Sequence, residues 1–106
     1  MIEVLEDRGE EFADACRRHG VARLEVFGSA TGDGFDPEGS DVDFLVEFAP
    51  DYDLGPWLAE YFALREELQA LVGRPVDLVM VGAMRNPYFI REVNRTRRLL
   101  YAAQDP

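Results

Sequence analysis

Two aspartates two residues apart, Asp41 and Asp43, stand in the run DVDFLVEF (41–48), which alternates strictly along its length. In an extended strand this spacing turns both carboxylates to one face with Cα atoms about 7 Å apart, near enough to converge on ions between them. Two like charges at that separation demand a counter-charge. Hard divalent cations prefer oxygen ligands, and Mg²⁺ takes one or two carboxylates and fills its shell with waters and substrate phosphates. Glu47 continues the row, and Asp33, Asp36 and Glu38 add negative potential from the preceding segment. Taken alone, the pair also fits a solvated strand edge. A third acid, Asp77, interrupts PVDLVMV (75–81), an otherwise apolar run. It reads either as a third ligand from a neighbouring strand or as a hydrogen-bonded buried acid, because a lone buried charge is costly.

The other half of a phosphate site is Gly28-Ser29, at the end of ARLEVF (22–27). Glycine permits close backbone approach, exposed amides at such a strand end can hold an anion, and a serine hydroxyl adds a donor. Strand, Gly-Ser, loop and Asp-x-Asp together describe a phosphate cradle facing a metal site.

The elements that must position these residues follow from periodicity. Residues 6–19 place Phe12, Ala15, Cys16 and His19 at helical spacing and meet Gly20 where a helix-ending glycine is expected. Residues 22–27 alternate as a strand, and 30–40 (ATGDGFDPEGS) carry too much Gly and Pro for a regular element. Strand 41–48 turns Val42, Phe44, Val46 and Phe48 away from the acids. From Pro56, residues Trp57, Tyr61, Leu64, Leu68 and Leu71 recur at helical spacing up to Gly73 and read as core. Residues 75–81 suit a strand buried on both faces. Asn86-Pro87 opens a last helix with Phe89, Val93, Thr96 and Leu100 on one face. The expected fold is α/β, a small mixed sheet of three or four strands with helices packed largely on one face.

The 106 residues, 47% hydrophobic and 30% charged, suit a single domain over 1–106 with one core. One cysteine, Cys16, excludes a disulfide framework. No run approaches the roughly 20 apolar residues of a membrane span, and the start is acidic where a signal peptide is basic. The expectation is a soluble cytoplasmic protein with no membrane association. Of the net charge of −10, residues 1–60 hold 16 acids against 4 Arg, while residues 61–106 hold 5 acids against 7 Arg. Such a front half repels phosphate backbones, so a non-specific binder of long nucleic acid is not expected; a small anion neutralised by metal ions is.

Gly28-Ser29, an eleven-residue interval (30–40), then Asp41-x-Asp43 with Ser40 before it and a strand aspartate downstream, resembles the signature of the DNA polymerase β-like nucleotidyltransferase superfamily. More narrowly the chain is similar to the minimal nucleotidyltransferase domains, and the resemblance covers nearly its whole length. It implies transfer of a nucleoside monophosphate, AMP in the first instance, from ATP or another NTP to an acceptor hydroxyl with loss of pyrophosphate. It assigns Asp41, Asp43 and Asp77 as catalytic ligands of two Mg²⁺ ions, and Gly28, Ser29 and Ser40 to the nucleotide phosphates. It also implies a HEPN-domain protein as partner in a toxin–antitoxin pair, with AMP added to that partner by some members. Where members often carry an Arg soon after Gly-Ser, this chain has Ala30-Thr31-Gly32-Asp33-Gly34. That departure bears on catalytic rate rather than fold. It leaves a second reading, an antitoxin or regulatory binding module with weak or no turnover.

The remaining singular residues read more plainly. Arg91, Arg95 and Arg98 fall on one helical face, which suits either a triphosphate or an acidic partner, and more often a solvated face complementing the helix C-terminus. His19 and Cys16 lack companions for metal or nucleophilic work. Tyr88 and Phe89 leave a homo-oligomer seam open.

Overall fold

The computed structural model describes residues 1–32, 39 and 41–103. The chain opens with two helices, Ile2–Asp7 (α1) and Gly9–Arg18 (α2), where one helix over 6–19 is expected. The break falls at Arg8 (φ −102°, ψ 23°), next to Gly9, a poor helix former. The change of direction lets Leu5 of α1 and Phe12, Ala15 and Cys16 of α2 all reach the core. Gly20, at φ +66°, then releases the chain into strand Val21–Phe27 (β1).

Strand Val42–Phe48 (β2) runs antiparallel to β1. Helix Ala59–Val72 (α3) carries the chain across to strand Val76–Met80 (β3), which lies parallel to β2. Helix Pro87–Thr96 (α4) follows, and strand Arg98–Ala102 (β4) returns antiparallel to β1. The order across the mixed sheet is β3-β2-β1-β4.

Strict alternation in β2 sorts the two faces as expected. Val42, Phe44 and Val46 join Leu24 and Val26 of β1 and Val76 and Leu78 of β3 in the main core, capped by Phe12 and Cys16 of α2 and Leu64 and Leu68 of α3. Phe12 and Phe44 meet with ring centroids 5.9 Å apart. On the opposite face Phe27 and Leu45 pack with Val93 of α4, and the Phe89 ring stands edge-on to Phe27 at 5.9 Å. Helices α2 and α3, with Leu5 of α1, thus cover one face, and α4 covers part of the other.

Three expectations need correction. Helix α4 ends at Thr96 instead of running through Leu100, because Arg97 turns to ψ 138° and the next residues pair with β1, Val26 opposite Arg98 and Leu24 opposite Tyr101. Four or five residues of Arg and Leu suit either period, and the pairing satisfies the backbone row that β1 otherwise leaves open. Helix α3 begins after a 3₁₀ turn, Pro56–Leu58, in which Trp57 and Leu58 both take φ 56°. That turn carries Trp57 out of the apolar stripe, leaving it 93% exposed instead of core, while Leu64 and Leu68 are buried as expected. Strand β3 is buried on one side only: Val76 and Leu78 face the core, and Asp77 is exposed.

Asn86 does cap α4, its side-chain oxygen accepting from the backbone N–H groups of Tyr88 and Phe89. Among the described residues no helix is long and apolar enough to cross a membrane.

Candidate active site

Register brings the acids together. In the β1–β2 pair Asp43 stands opposite Phe27, one residue before Gly28, and in the parallel β2–β3 pair it stands opposite Asp77. Asp41, just ahead of β2, is exposed, and Asp43 is half-buried. Burial, and then the carboxylates of Asp77 and Asp41, push the Asp43 carboxyl up to about 6. The fields of Asp77 and Asp41 thus both reach Asp43, as the spacing of Asp41 and Asp43 requires and as the position of Asp77 alone left undecided. Because Asp77 is exposed, the alternative of a hydrogen-bonded buried acid does not describe it. The phenol of Tyr61 on α3 donates to the carbonyl of Leu78 and is pushed up chiefly by burial, with a smaller contribution from Asp77.

Gly28 begins a short 3₁₀ turn, Gly28–Thr31, at φ +74°. A Cβ there would sit 2.6 Å from Oδ2 of Asp43, so the close approach of turn and carboxylate excludes any side chain. The Gly28 N–H is not left for an anion: it donates to Oγ1 of Thr96 at 2.9 Å, and the Thr31 hydroxyl donates to the Gly28 carbonyl at 2.9 Å. Room for Asp43 is what Gly28 contributes. Ser40, and with it Asp33, Asp36 and Glu38, lies outside the described residues.

Sequence reasoning missed what α4 and β4 bring to this turn. Glu25 of β1 is buried, 2% exposed, and accepts from Arg97 through Nε at 2.5 Å and Nη2 at 2.9 Å, and from Nε of Arg23 at 2.5 Å. The bond from Arg97, more than that from Arg23, holds the Glu25 carboxyl below its usual range against the effect of burial. This clamp pins the end of α4 to the sheet, so that Thr96 reaches Gly28. An open groove of about 480 Å³ results, lined by Gly28, Ser29, Thr31, Gly32, Glu92, Arg95, Thr96 and Arg98. Arg91, Arg95 and Arg98 do not share a helical face, since Arg98 belongs to β4. Nothing in local periodicity signals the reversal at Arg97, and only a reading of 98–102 as a strand would have found the groove.

His19 and Cys16 have structural surroundings. Nε2 of His19 lies 2.6 Å from Oε2 of Glu67, and burial pushes the Cys16 thiol up to about 12, which leaves it unreactive.

Among the described residues no group of three or more acidic, imidazole or thiol side chains is placed to hold a metal ion, so Asp41, Asp43 and Asp77 do not stand as a ready-made ligand set. The donor set still suits one kind of ion. Exposed Asp41 and Asp77 beside half-buried Asp43 supply only oxygen, and Asp43 is raised chiefly by burial and further by the two acids. A hard divalent cation that keeps waters and takes phosphate oxygens fits such an open set better than a metal demanding an all-protein shell.

Residues 10–100 match the nucleotidyltransferase domain family, and the chain belongs to it. Among its relatives is a candidate protein adenylyltransferase of Methanocaldococcus jannaschii, 36% identical over 93 residues, which span 78% of this chain and 88% of that one. A solved candidate minimal nucleotidyltransferase superposes with a TM-score of 0.70 at 33% identity, covering 91% of this chain and 92% of the other. A chain from the complex of a tri-AMPylated Shewanella oneidensis HEPN toxin with MNT antitoxin shares the fold, with a TM-score of 0.61 at 18% identity over 97% of this chain and 74% of that chain. The fold expected from the sequence, a minimal nucleotidyltransferase with a mixed sheet, is the fold observed.

Proposed function

We propose that this chain transfers AMP from ATP to a hydroxyl group on a protein partner of the HEPN class. The observation that carries the reading is the register match of Asp43 with Asp77 beside Gly28, with a carboxyl on Asp43 raised first by burial and then by the neighbouring acids. Support for the reaction class comes from the family and from the name of the M. jannaschii relative, and for the partner from the AMPylated toxin in the Shewanella complex.

Asp41, Asp43 and Asp77 would hold Mg²⁺ ions, and a pair of such ions stabilises the charge on both the attacking and the leaving oxygen of an in-line displacement. The residues of the chain do the rest. Ser29 and the 3₁₀ turn orient the phosphate chain, and Gly28 lets Asp43 approach it without a side chain between. The acceptor oxygen bonds to the α-phosphorus while the bond from that phosphorus to the bridging oxygen of the β-phosphate breaks. The products are an AMP ester and pyrophosphate. The proton of the acceptor hydroxyl passes to water beside Asp77, the exposed carboxylate of β3.

Incubation with ATP labelled at the α-phosphate, Mg²⁺ and the candidate partner tests the reading. Label on a partner hydroxyl that disappears with Asp43→Asn is the expected result. A stable complex that never acquires label would instead identify a binding module that keeps the fold without turnover.

A further inference from the structure

The 3₁₀ turn after β1 carries no cation of its own: Gly28, Ser29, Ala30, Thr31 and Gly32 are all uncharged. Yet the groove beside Ser29 is lined by two guanidinium groups, Arg95 from the last turn of α4 and Arg98 from the first residue of β4. In a chain whose net charge is −10, two arginines in the groove that holds Gly28, whose Cα neighbours the Asp43 carboxylate, are a local reversal of sign. Arg98 is exposed, and among the described residues its guanidinium makes no hydrogen bond or ion pair. Arg95 is engaged with Glu92, which also lines the groove, through Nε at 3.2 Å and through Nη2, and both partners are exposed. An exposed pair of that kind is weak in water and is readily exchanged for a more highly charged anion.

We propose that Arg98, assisted by Arg95 when it leaves Glu92, binds the β- and γ-phosphates of the nucleotide in the groove beside Ser29. The proposal rests on the reading of the chain as an ATP-using nucleotidyltransferase and adds the residues that hold the part of the substrate released as pyrophosphate. The planar guanidinium fork suits phosphate oxygens. Its placement on the α4–β4 reversal, clamped by Arg97 on Glu25 and joined to the turn by the Gly28 N–H bond to Thr96, holds the backbone that carries these cations beside Ser29. The plainer role for both arginines, complementing the C-terminal end of α4, makes no distinction between nucleotides.

Calorimetric titration of the whole chain with ATP, AMP and inorganic tripolyphosphate in Mg²⁺ buffer separates these roles. Arg98→Gln is expected to weaken ATP and tripolyphosphate about tenfold, the scale of one exposed charge-assisted hydrogen bond, and to leave AMP unchanged. Glu92→Gln frees Arg95 and is expected to tighten ATP, while Arg91→Gln, whose guanidinium lies over the Tyr88 ring at 5.9 Å, changes nothing. Equal losses for ATP and AMP, or no loss with Arg98→Gln, would overturn the assignment while leaving the enzyme reading intact. Tripolyphosphate binding that depends on Arg98, in a protein that ignores ATP, would uphold the anion site and sink the enzyme reading. Binding of neither ligand by the unaltered protein would sink both.

Discussion

Asp43 and Asp77 are register partners on adjacent parallel strands, and the carboxyl of Asp43 is held at about 6 by burial and by the acids beside it. A carboxyl raised in the folded state from an ordinary value of 3.8 binds protons more tightly folded than unfolded. Stability is therefore highest below that ordinary value and falls as pH rises toward 6. In metal-free buffer at pH 7.5, Asp43→Asn is expected to be more stable than the parent by about 1–3 kcal/mol, the upper figure being the full shift and the lower allowing for solvent screening. The advantage should vanish at pH 4. Urea denaturation at the two pH values measures both, and a variant less stable at pH 7.5 would show that the acids do not repel.

If the same repulsion governs the site, a divalent ion is expected to stabilise the folded chain. An ion that binds only the folded state adds about 2.7 kcal/mol at a hundred times its Kd. The parent Tm should rise with Mg²⁺, and further with Mg²⁺ and ATP together. Asp43→Asn and Asp77→Asn should each lose most of the Mg²⁺ increment. A full increment in Asp43→Asn would place the ion elsewhere and take the catalytic reading with it.

Gly28 couples the turn to Asp43 through contact. Ala at φ +74° carries the left-handed penalty of about 1–2 kcal/mol, and its Cβ would meet Oδ2 of Asp43 at 2.6 Å. Gly28→Ala is expected to lower stability by about 2–4 kcal/mol, the displacement adding to the backbone cost. It should also blunt the Mg²⁺-dependent rise in Tm, because the carboxylate must turn away. Ser29→Ala removes one hydroxyl next door and should do neither. Equal effects of the two substitutions in thermal melts would mean that the contact at Gly28 has no bearing on the acids.

What was legible in the sequence divides along physical lines. The faces of β2 could be read because period two admits only one assignment of Val42, Phe44 and Val46 to the core once Asp41 and Asp43 are polar. The cap at Asn86 could be read because a side chain satisfies amides two and three residues away. Trp57 was misplaced because its position depends on two left-handed residues, Trp57 and Leu58, and neither residue type announces that conformation. Strand β4 was missed because its pairing with β1 is a property of the assembled sheet. With β4 went the groove, the contact of Thr96 with Gly28, and the buried role of Glu25, whose polar type in an alternating strand points to solvent.

Glu25 of β1, held by Arg97, supplies a prediction of the opposite sign to that at Asp43 of β2. The Glu25 carboxyl is held below its usual value, by Arg97 first and Arg23 second, so its contribution to stability is present above the ordinary carboxylate range and is lost as pH falls through it. Arg97→Ala leaves a buried carboxylate with Arg23 alone and is expected to cost about 3 kcal/mol at pH 7. As pH falls far enough for Glu25 to take up a proton in the parent as well, the difference should shrink. Glu25→Leu combined with Arg97→Met replaces the clamp by packing and should lie within about 1 kcal/mol of the parent, since apolar substitutes for buried ion pairs are often neutral. Because Arg97 also sets where Thr96 meets Gly28, Arg97→Ala should weaken ATP binding more than the double variant does, as packing keeps α4 against β1. Urea denaturation and ATP titration of the three proteins check this together. An Arg97→Ala protein as stable as the parent at pH 7 would mean that Arg23 alone satisfies Glu25 and that the clamp does not hold the groove in place.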